Sequence, residues 1–153
     1  AHGVKAVLIA PMICGVATFS ALRREHVDLA FIAHPALGGN ARIAPAALLG
    51  RLFRLFGADA VIFPNHGGRF AYSRAVCAEI AANHHAQWHG LRRTLPTPAG
   101  GMDVARCAEI VAEYGCDTML LIGGSLLIAR ERVEERARAF VDAVHAAARP
   151  VPA

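Results

Sequence analysis

Phe56 to Phe70 reads FGADAVIFPNHGGRF, and this stretch decides the fold because it runs from a helix end through a buried strand into a glycine-rich loop. Val61, Ile62 and Phe63 form a short apolar, β-prone run that predicts a strand over residues 60–63. Pro64 has no N–H to donate, so the strand is expected to stop there. Beyond it, Gly67 and Gly68 permit positive φ and close backbone approach, while Asn65, His66 and Arg69 bring hydrogen-bonding groups. A loop of that make-up suits an anion.

The same unit recurs on both sides: an apolar strand, a loop rich in Gly or Pro, an amphipathic helix. Strands are predicted at residues 5–10, 29–33, 60–63, 95–97 and 118–122. A weak helix follows the first, over residues 18–25. In PAALLGRLFRLFG, Pro45 suits a first helical turn, Leu48, Leu49, Leu52 and Phe56 make the apolar face, and Gly57 ends the helix; Arg51 and Arg54 are then expected to point to solvent. A third helix runs from an N-cap at Ser73 toward His85. A fourth starts at Asp103, with Cys107, Ile110, Val111 and Tyr114 on one stripe before Gly115. The last, RERVEERARAFVDAV, is expected to bury Val133, Ala137, Phe140, Val141 and Val144. This alternation means a parallel sheet covered by helices, and no linker divides residues 1–153, which read as a single α/β region.

Composition removes several function classes. At 153 residues, 55% hydrophobic and 18% charged, the chain can fill a core. Its formal charge of +4 is dispersed along amphipathic segments with no basic stripe interleaved with aromatics, so nucleic-acid binding is not expected. Cys14, Cys77, Cys107 and Cys116 lie far apart with no C-x-x-C pair, which argues for reduced, mostly buried thiols in a cytoplasmic protein. The apolar VKAVLIAPMICGVATF is broken by Pro11 and Gly15 and falls short of the ~20 residues a membrane helix needs, so no membrane association is expected. A start without Met, with a strand almost at once, reads as preceded by further chain.

Two architectures accommodate the pattern. A doubly wound, flavodoxin-like domain of about five strands would be complete at this size, whereas a TIM barrel typically needs ~250 residues and would be present only in part. Size alone favours the former. Both place ligand loops at the carboxyl ends of the strands: PMICG, HPALGGNARIAP, PNHGGRF, PAGGM and GGSLL. Glycine lets backbone N–H groups converge on a phosphate, and Gly100–Gly101 and Gly123–Gly124, on neighbouring strands and each before a helix, are placed to cradle one together.

In order and at their spacings, AHPALGG, LGRLFRLFGADAVIFPNHGGRF, PTPAGGM and LLIGG resemble the carboxyl-terminal part of the barrel of the RuBisCO superfamily. The nearer likeness is to the RuBisCO-like proteins, including those of methionine salvage and methylthioribulose-phosphate isomerisation. It runs over residues 4–144. The resemblance implies that the five strands are the fourth to eighth of a TIM barrel whose first strands, and the family's amino-terminal domain, lie outside this chain. It thereby overrules the preference drawn from size.

The resemblance also implies the chemistry. A proton leaves the carbon beside a carbonyl while a magnesium ion stabilises the enediolate oxygens, in a homodimer or higher oligomer acting on a sugar phosphate. The family's metal ligands, an often carbamylated Lys, an Asp and a Glu on the second strand, have no counterpart here, so no metal ligand is assigned. Glu79, Glu109, Glu113, Glu131, Glu134 and Glu135 lie on helix stripes and are read as solvated.

Departures from the carboxylases refine the expectation. The family's distal-phosphate donors match Pro35, Ile62 and Ala99, none of which has a side chain that donates a hydrogen bond, and the mobile loop lysine matches Arg69. The expected substrate therefore carries one phosphate, of the methylthio-ketose phosphate type, and the expected activity is that of an enolase or isomerase, not a carboxylase. His34 matches the family's active-site His and is assigned the catalytic role. Gly100, Gly101, Gly123, Gly124 and Ser125 are assigned to phosphate, and Asn65, His66 and Arg69 to further substrate contacts. Arg42 is a weaker candidate, expected to cap or bridge helices, and the spacing of His84, His85 and His89 fits no metal site. The rival reading is a non-catalytic phosphate-binding α/β domain or an inactive barrel fragment.

Overall fold

Four short strands pair in the order in which the chain makes them, all parallel: β1 (Ala6–Ile9), β2 (Ala30–Ala33), β3 (Ala60–Pro64) and β4 (Leu95–Ala99). The computed structural model describes residues 3–149. A doubly wound sheet reverses its strand order at a switch point; among the described residues this sheet has no reversal. With right-handed crossovers, an unreversed order puts every helix on one face, as in a barrel wall. The core agrees: Val7, Ile9, Phe31, Ala33, Val61 and Phe63 pack with the helices, whereas on the opposite face Leu8 and Leu95 are 57% and 43% exposed.

Helices fill the crossovers. A single turn, α1 (Pro11–Cys14), precedes α2 (Val16–Glu25), whose Phe19 meets Phe31 edge to face at 5.6 Å. The second crossover is interrupted: α3 (Pro45–Ala47) passes through a π-turn at Leu48–Leu52 into α4 (Phe53–Leu55). The wider turn shifts the residues after it around the axis, so Phe53 joins the core and Arg54, expected in solvent, is 3% exposed. Its guanidinium donates to four carbonyls, those of Asn83, Ala86, Leu91 and Arg92, at 2.8–2.9 Å. One buried cation thus binds the end of α5 (Arg74–His85) and the segment that leads into β4. Ser73 caps α5, as expected, by accepting from the Val76 N–H.

The fourth crossover also follows expectation at its start. Asp103 accepts from the Arg106 N–H, a short 3₁₀ turn leads into α6 (Cys107–Tyr114), and Gly115 ends it with a φ of 83°. Then come α7 (Gly124–Ala129) and α8 (Val133–Ala147).

Two expectations fail here. Residues 118–122 form no strand: they touch β4 through one bridge, Ala99 to Leu121, and a bond from the Met119 N–H to the Pro96 carbonyl. Leu95 and Ala99 bond toward β3, so Pro96 and Pro98 face the other edge and leave it without N–H donors at those positions. In α8 only Phe140 is buried; Val133 and Val141 are 46% and 49% exposed, because the helix packs mainly on α6 and α7. The cysteines are all free, but only Cys77 and Cys107 are buried. No helix among the described residues is long and apolar enough to cross a membrane.

His84 is fully buried, with Nε2 against the Leu49 carbonyl at 2.9 Å and Nδ1 without a partner. Burial lowers its pKa from 6.5 to about 4. Between those values the unfolded chain binds the proton that the native state refuses, so stability is complete above the upper value and falls as the pH drops through the lower. The expected loss is on the order of 3 kcal/mol. Urea midpoints measured across this range should show it, and His84→Gln should flatten the profile.

Candidate active site at the loop face

His34 follows β2 at the carboxyl end of the sheet, its N–H bonded to the Ile9 carbonyl at 2.8 Å. Continuing the register of β2 on β3 by one residue sets His34 beside Ile62, which pairs with Thr97. His34, Ile62 and Thr97 thus form a row on the face away from the helices. The Ala36 N–H donates to His34 Nδ1 at 3.1 Å, which makes Nδ1 the acceptor and leaves the ring proton of a neutral imidazole on Nε2.

The two glycine loops that follow β3 and β4 lie backbone against backbone. A Cβ on Gly68 would meet the Gly100 carbonyl carbon at 2.9 Å, and one on Gly101 would meet the Gly67 oxygen at 2.6 Å. Gly100 and Gly101 have φ of 95° and 64°. These glycines are required by the contact between loops, a reason the sequence alone does not disclose. Gly101→Ala is accordingly expected to destabilise the protein by about 1–3 kcal/mol, read as a fall in Tm.

Gly123 and Gly124 differ. A Cβ on either meets nothing within 4 Å, and neither has a positive φ, so neither packing nor backbone conformation requires glycine there. Gly123 precedes α7; its carbonyl accepts from the Leu126 and Leu127 N–H groups, while the Gly124 and Ser125 N–H groups find no acceptor among the described residues. These amides, with Gly100 and Gly101, border a cavity of about 390 Å³. Ser125 Oγ donates to the Met102 carbonyl at 2.8 Å, tying this loop to the one after β4.

The loop after β3 divides its side chains. Asn65 is fully buried on the helix side, where its Oδ1 accepts from the Tyr114 hydroxyl at 2.7 Å and its Nδ2 has no partner. Burial pushes the Tyr114 phenol up, and that of Cys77, the neighbouring thiol, likewise. His66 also turns outward: Nε2 lies 2.9 Å from Glu113 and Nδ1 3.4 Å from Arg106. Arg69 is exposed, stacked over the likewise exposed Phe70 at 5.4 Å. Arg42 is exposed on its own loop. The structure thus places His34 and the glycine amides at the same, carboxyl end of the sheet, with no hydrogen bond between them among the described residues, and turns Asn65 and His66 toward the helices.

The contacts of His66 were not anticipated. Glu113, read as solvated, is largely buried against His66, and Glu109 pairs with Arg74 at 2.6 Å and Arg106 at 3.2 Å. The hydrogen bond from Arg106 holds the Glu109 carboxyl below the usual range. The only signal in the sequence is the i, i+4 spacing of Glu109 and Glu113 on α6. His66, Glu109 and Glu113 bring one ligand atom each within 4.8 Å of one another. They do not fit magnesium, which takes octahedral oxygen ligands: a ring nitrogen is one of the three groups, and Arg74 and Arg106 already neutralise the carboxylates.

No family model matches the chain. The 5-methylthioribulose-1-phosphate isomerase of Rhodospirillum rubrum is 56% identical over 147 residues, 96% of this chain and 39% of its own length. The 2,3-diketo-5-methylthiopentyl-1-phosphate enolase of Geobacillus kaustophilus is 32% identical over 119 residues, 73% of this chain and 29% of its own. A crystal structure of the Rubisco-like protein from Rhodopseudomonas palustris superposes with a TM-score of 0.87 at 47% identity, over 97% of this chain and 40% of that one. The chain spans at most about two fifths of the relatives it matches. With its unreversed parallel sheet and helices on one face, it belongs to the RuBisCO-like proteins and corresponds to a carboxyl-terminal part of their TIM barrel.

Proposed function

We propose that the protein to which this chain belongs is a RuBisCO-like isomerase or enolase of a methylthio-ketose monophosphate, and not a carboxylase. The observation that carries this reading is the asymmetry of the loop face. At one side the free N–H groups of Gly124 and Ser125 border an open cavity suited to a phosphate. Against this one cradle, Pro35, Ile62 and Ala99, at the positions that match the family's distal-phosphate donors, offer no side-chain donor to a second phosphate and suit an apolar methylthio end.

His34 takes a definite part in this scheme. With Nδ1 held by the Ala36 N–H, its neutral ring presents a donor at Nε2, suited to stabilising negative charge on a substrate oxygen as the neighbouring carbon loses its proton. Arg69, exposed at its loop tip, closes over the bound substrate. Asn65 and His66 hold that loop from behind through Tyr114 and Glu113. Magnesium, implied by the family, finds no fitting ligand set among the described residues; on this reading its ligands belong to the part of the relatives that this chain does not span. The names of the Rhodospirillum and Geobacillus relatives support the reaction class, and a homo-oligomer is the expected assembly.

Calorimetry on the intact protein tests the reading. A methylthio-ketose monophosphate should bind at least as tightly as ribulose bisphosphate. A clear preference for the bisphosphate would mean that a second phosphate finds donors that Pro35, Ile62 and Ala99 do not supply.

A further inference from the structure

At the end of the sheet opposite the loops lies a cavity of about 360 Å³ walled by arginine. Arg23 and Arg24 reach it from the last turn of α2, Arg54 from α4, and Arg92 and Arg93 from the segment leading into β4. Asp59 is the one acidic residue in its lining, and its carboxylate is already engaged. It accepts from the Phe31 N–H at 2.9 Å and from Arg23 at 3.2 Å, and it also pairs with Arg92.

The other cations have no carboxylate partner among the described residues. Arg54 spends its donors on backbone carbonyls, Arg24 bonds the Ser20 hydroxyl at 3.0 Å, and Arg93 has no hydrogen-bond partner among the described residues. Five guanidinium groups against one carboxylate leave a concentrated positive field in a concave site. Burial, and after it the charge of Arg93, lowers the pKa of Arg54. Gly57 helps to build the wall: a Cβ there would fall 2.9 Å from Arg23 Cγ. Val27, Leu55 and Leu91 supply an apolar side.

We propose that this cavity is an anion site, separate from the loop face, which takes the phosphorylated end of a small organic molecule. Guanidinium forks match phosphoryl oxygens in two-pronged geometry, and the apolar side receives the organic part. Every group the site uses lies within this chain, between α2, α4 and the approaches to β3 and β4. It therefore stands independently of the reading of the loop face.

Pyrophosphate is the probe. Titrated calorimetrically into the intact protein, it should bind, more weakly as salt is raised, and should bind a Gly124→Val variant equally well at this site. Replacing both Arg24 and Arg93, which are exposed and hold no core contact, by Gln should weaken binding by about tenfold or more with Tm unchanged. Lys at both positions should restore part of the affinity. Full affinity in the Gln double variant, or no binding of pyrophosphate at millimolar concentration, would overturn the proposal.

Discussion

Arg54→Leu should lower the stability of the protein by about 3–5 kcal/mol, because the change removes a buried cation and leaves the carbonyls it served without a donor. Four bonds of 2.8–2.9 Å are lost together, to Asn83, Ala86, Leu91 and Arg92. Leucine fills part of the space, yet it offers nothing to the carbonyls at the end of α5. Arg54→Lys keeps the charge but presents one ammonium in place of a planar fork, so it should recover only a fraction. Urea unfolding provides the comparison. A leucine variant within about 1 kcal/mol of the parent, no more than an ordinary substitution costs, would show that water takes over these carbonyls and that Arg54 is not a structural tie.

The second large effect is on binding. Gly124→Val should weaken the affinity for inorganic phosphate by roughly a hundredfold, the equivalent of about two lost charge-assisted contacts, while leaving the fold intact. A Cβ at this position meets no protein atom within 4 Å among the described residues, so the branch is expected to obstruct ligand space and not the core. Arg69→Ala should behave differently: on the proposed reading it removes a contact from a loop that closes over substrate, so turnover should fall while phosphate affinity changes little. Phosphate titration and turnover with 5-methylthioribulose 1-phosphate separate the two. Normal phosphate binding in Gly124→Val together with its loss in Arg69→Ala would transfer the anion site to the loop after β3.

Much of this was legible in the residues, and the exceptions have physical causes. Strands β1 to β4, the caps at Ser73 and Asp103 and the stop at Gly115 follow from local chemistry, and local chemistry decides them. The position of His34 at a strand end follows in the same way. Arg54 was misplaced because a π-turn, set by packing and not by periodicity, re-aims the residues after it. The strand at residues 118–122 failed because its neighbour presents Pro96 and Pro98 along the shared edge, a fact that depends on which way β4 faces. Val133 and Val141 keep the pattern of a buried stripe, but the pattern does not say what covers it.

The loop after β3 holds a subtler lesson. Asn65 continues the alternation of Val61 and Phe63 to the helix side, so its burial against Tyr114 was readable in principle. Its amide, taken for a ligand contact, instead anchors the loop. No such rule would have found Glu113 under His66, since that contact joins residues 47 positions apart. Size misled in one respect: it favoured a complete doubly wound domain, and the unreversed strand order excludes it.

The most direct test of the functional reading is turnover by the intact protein, assayed in parallel with 5-methylthioribulose 1-phosphate and with ribulose bisphosphate in the presence of labelled carbon dioxide. The lack of a side-chain donor at Pro35, Ile62 and Ala99, together with a single amide cradle, predicts isomerisation or proton exchange on the monophosphate and no label fixed from the bisphosphate. Fixation of label into ribulose bisphosphate, with the monophosphate left unchanged, would contradict it.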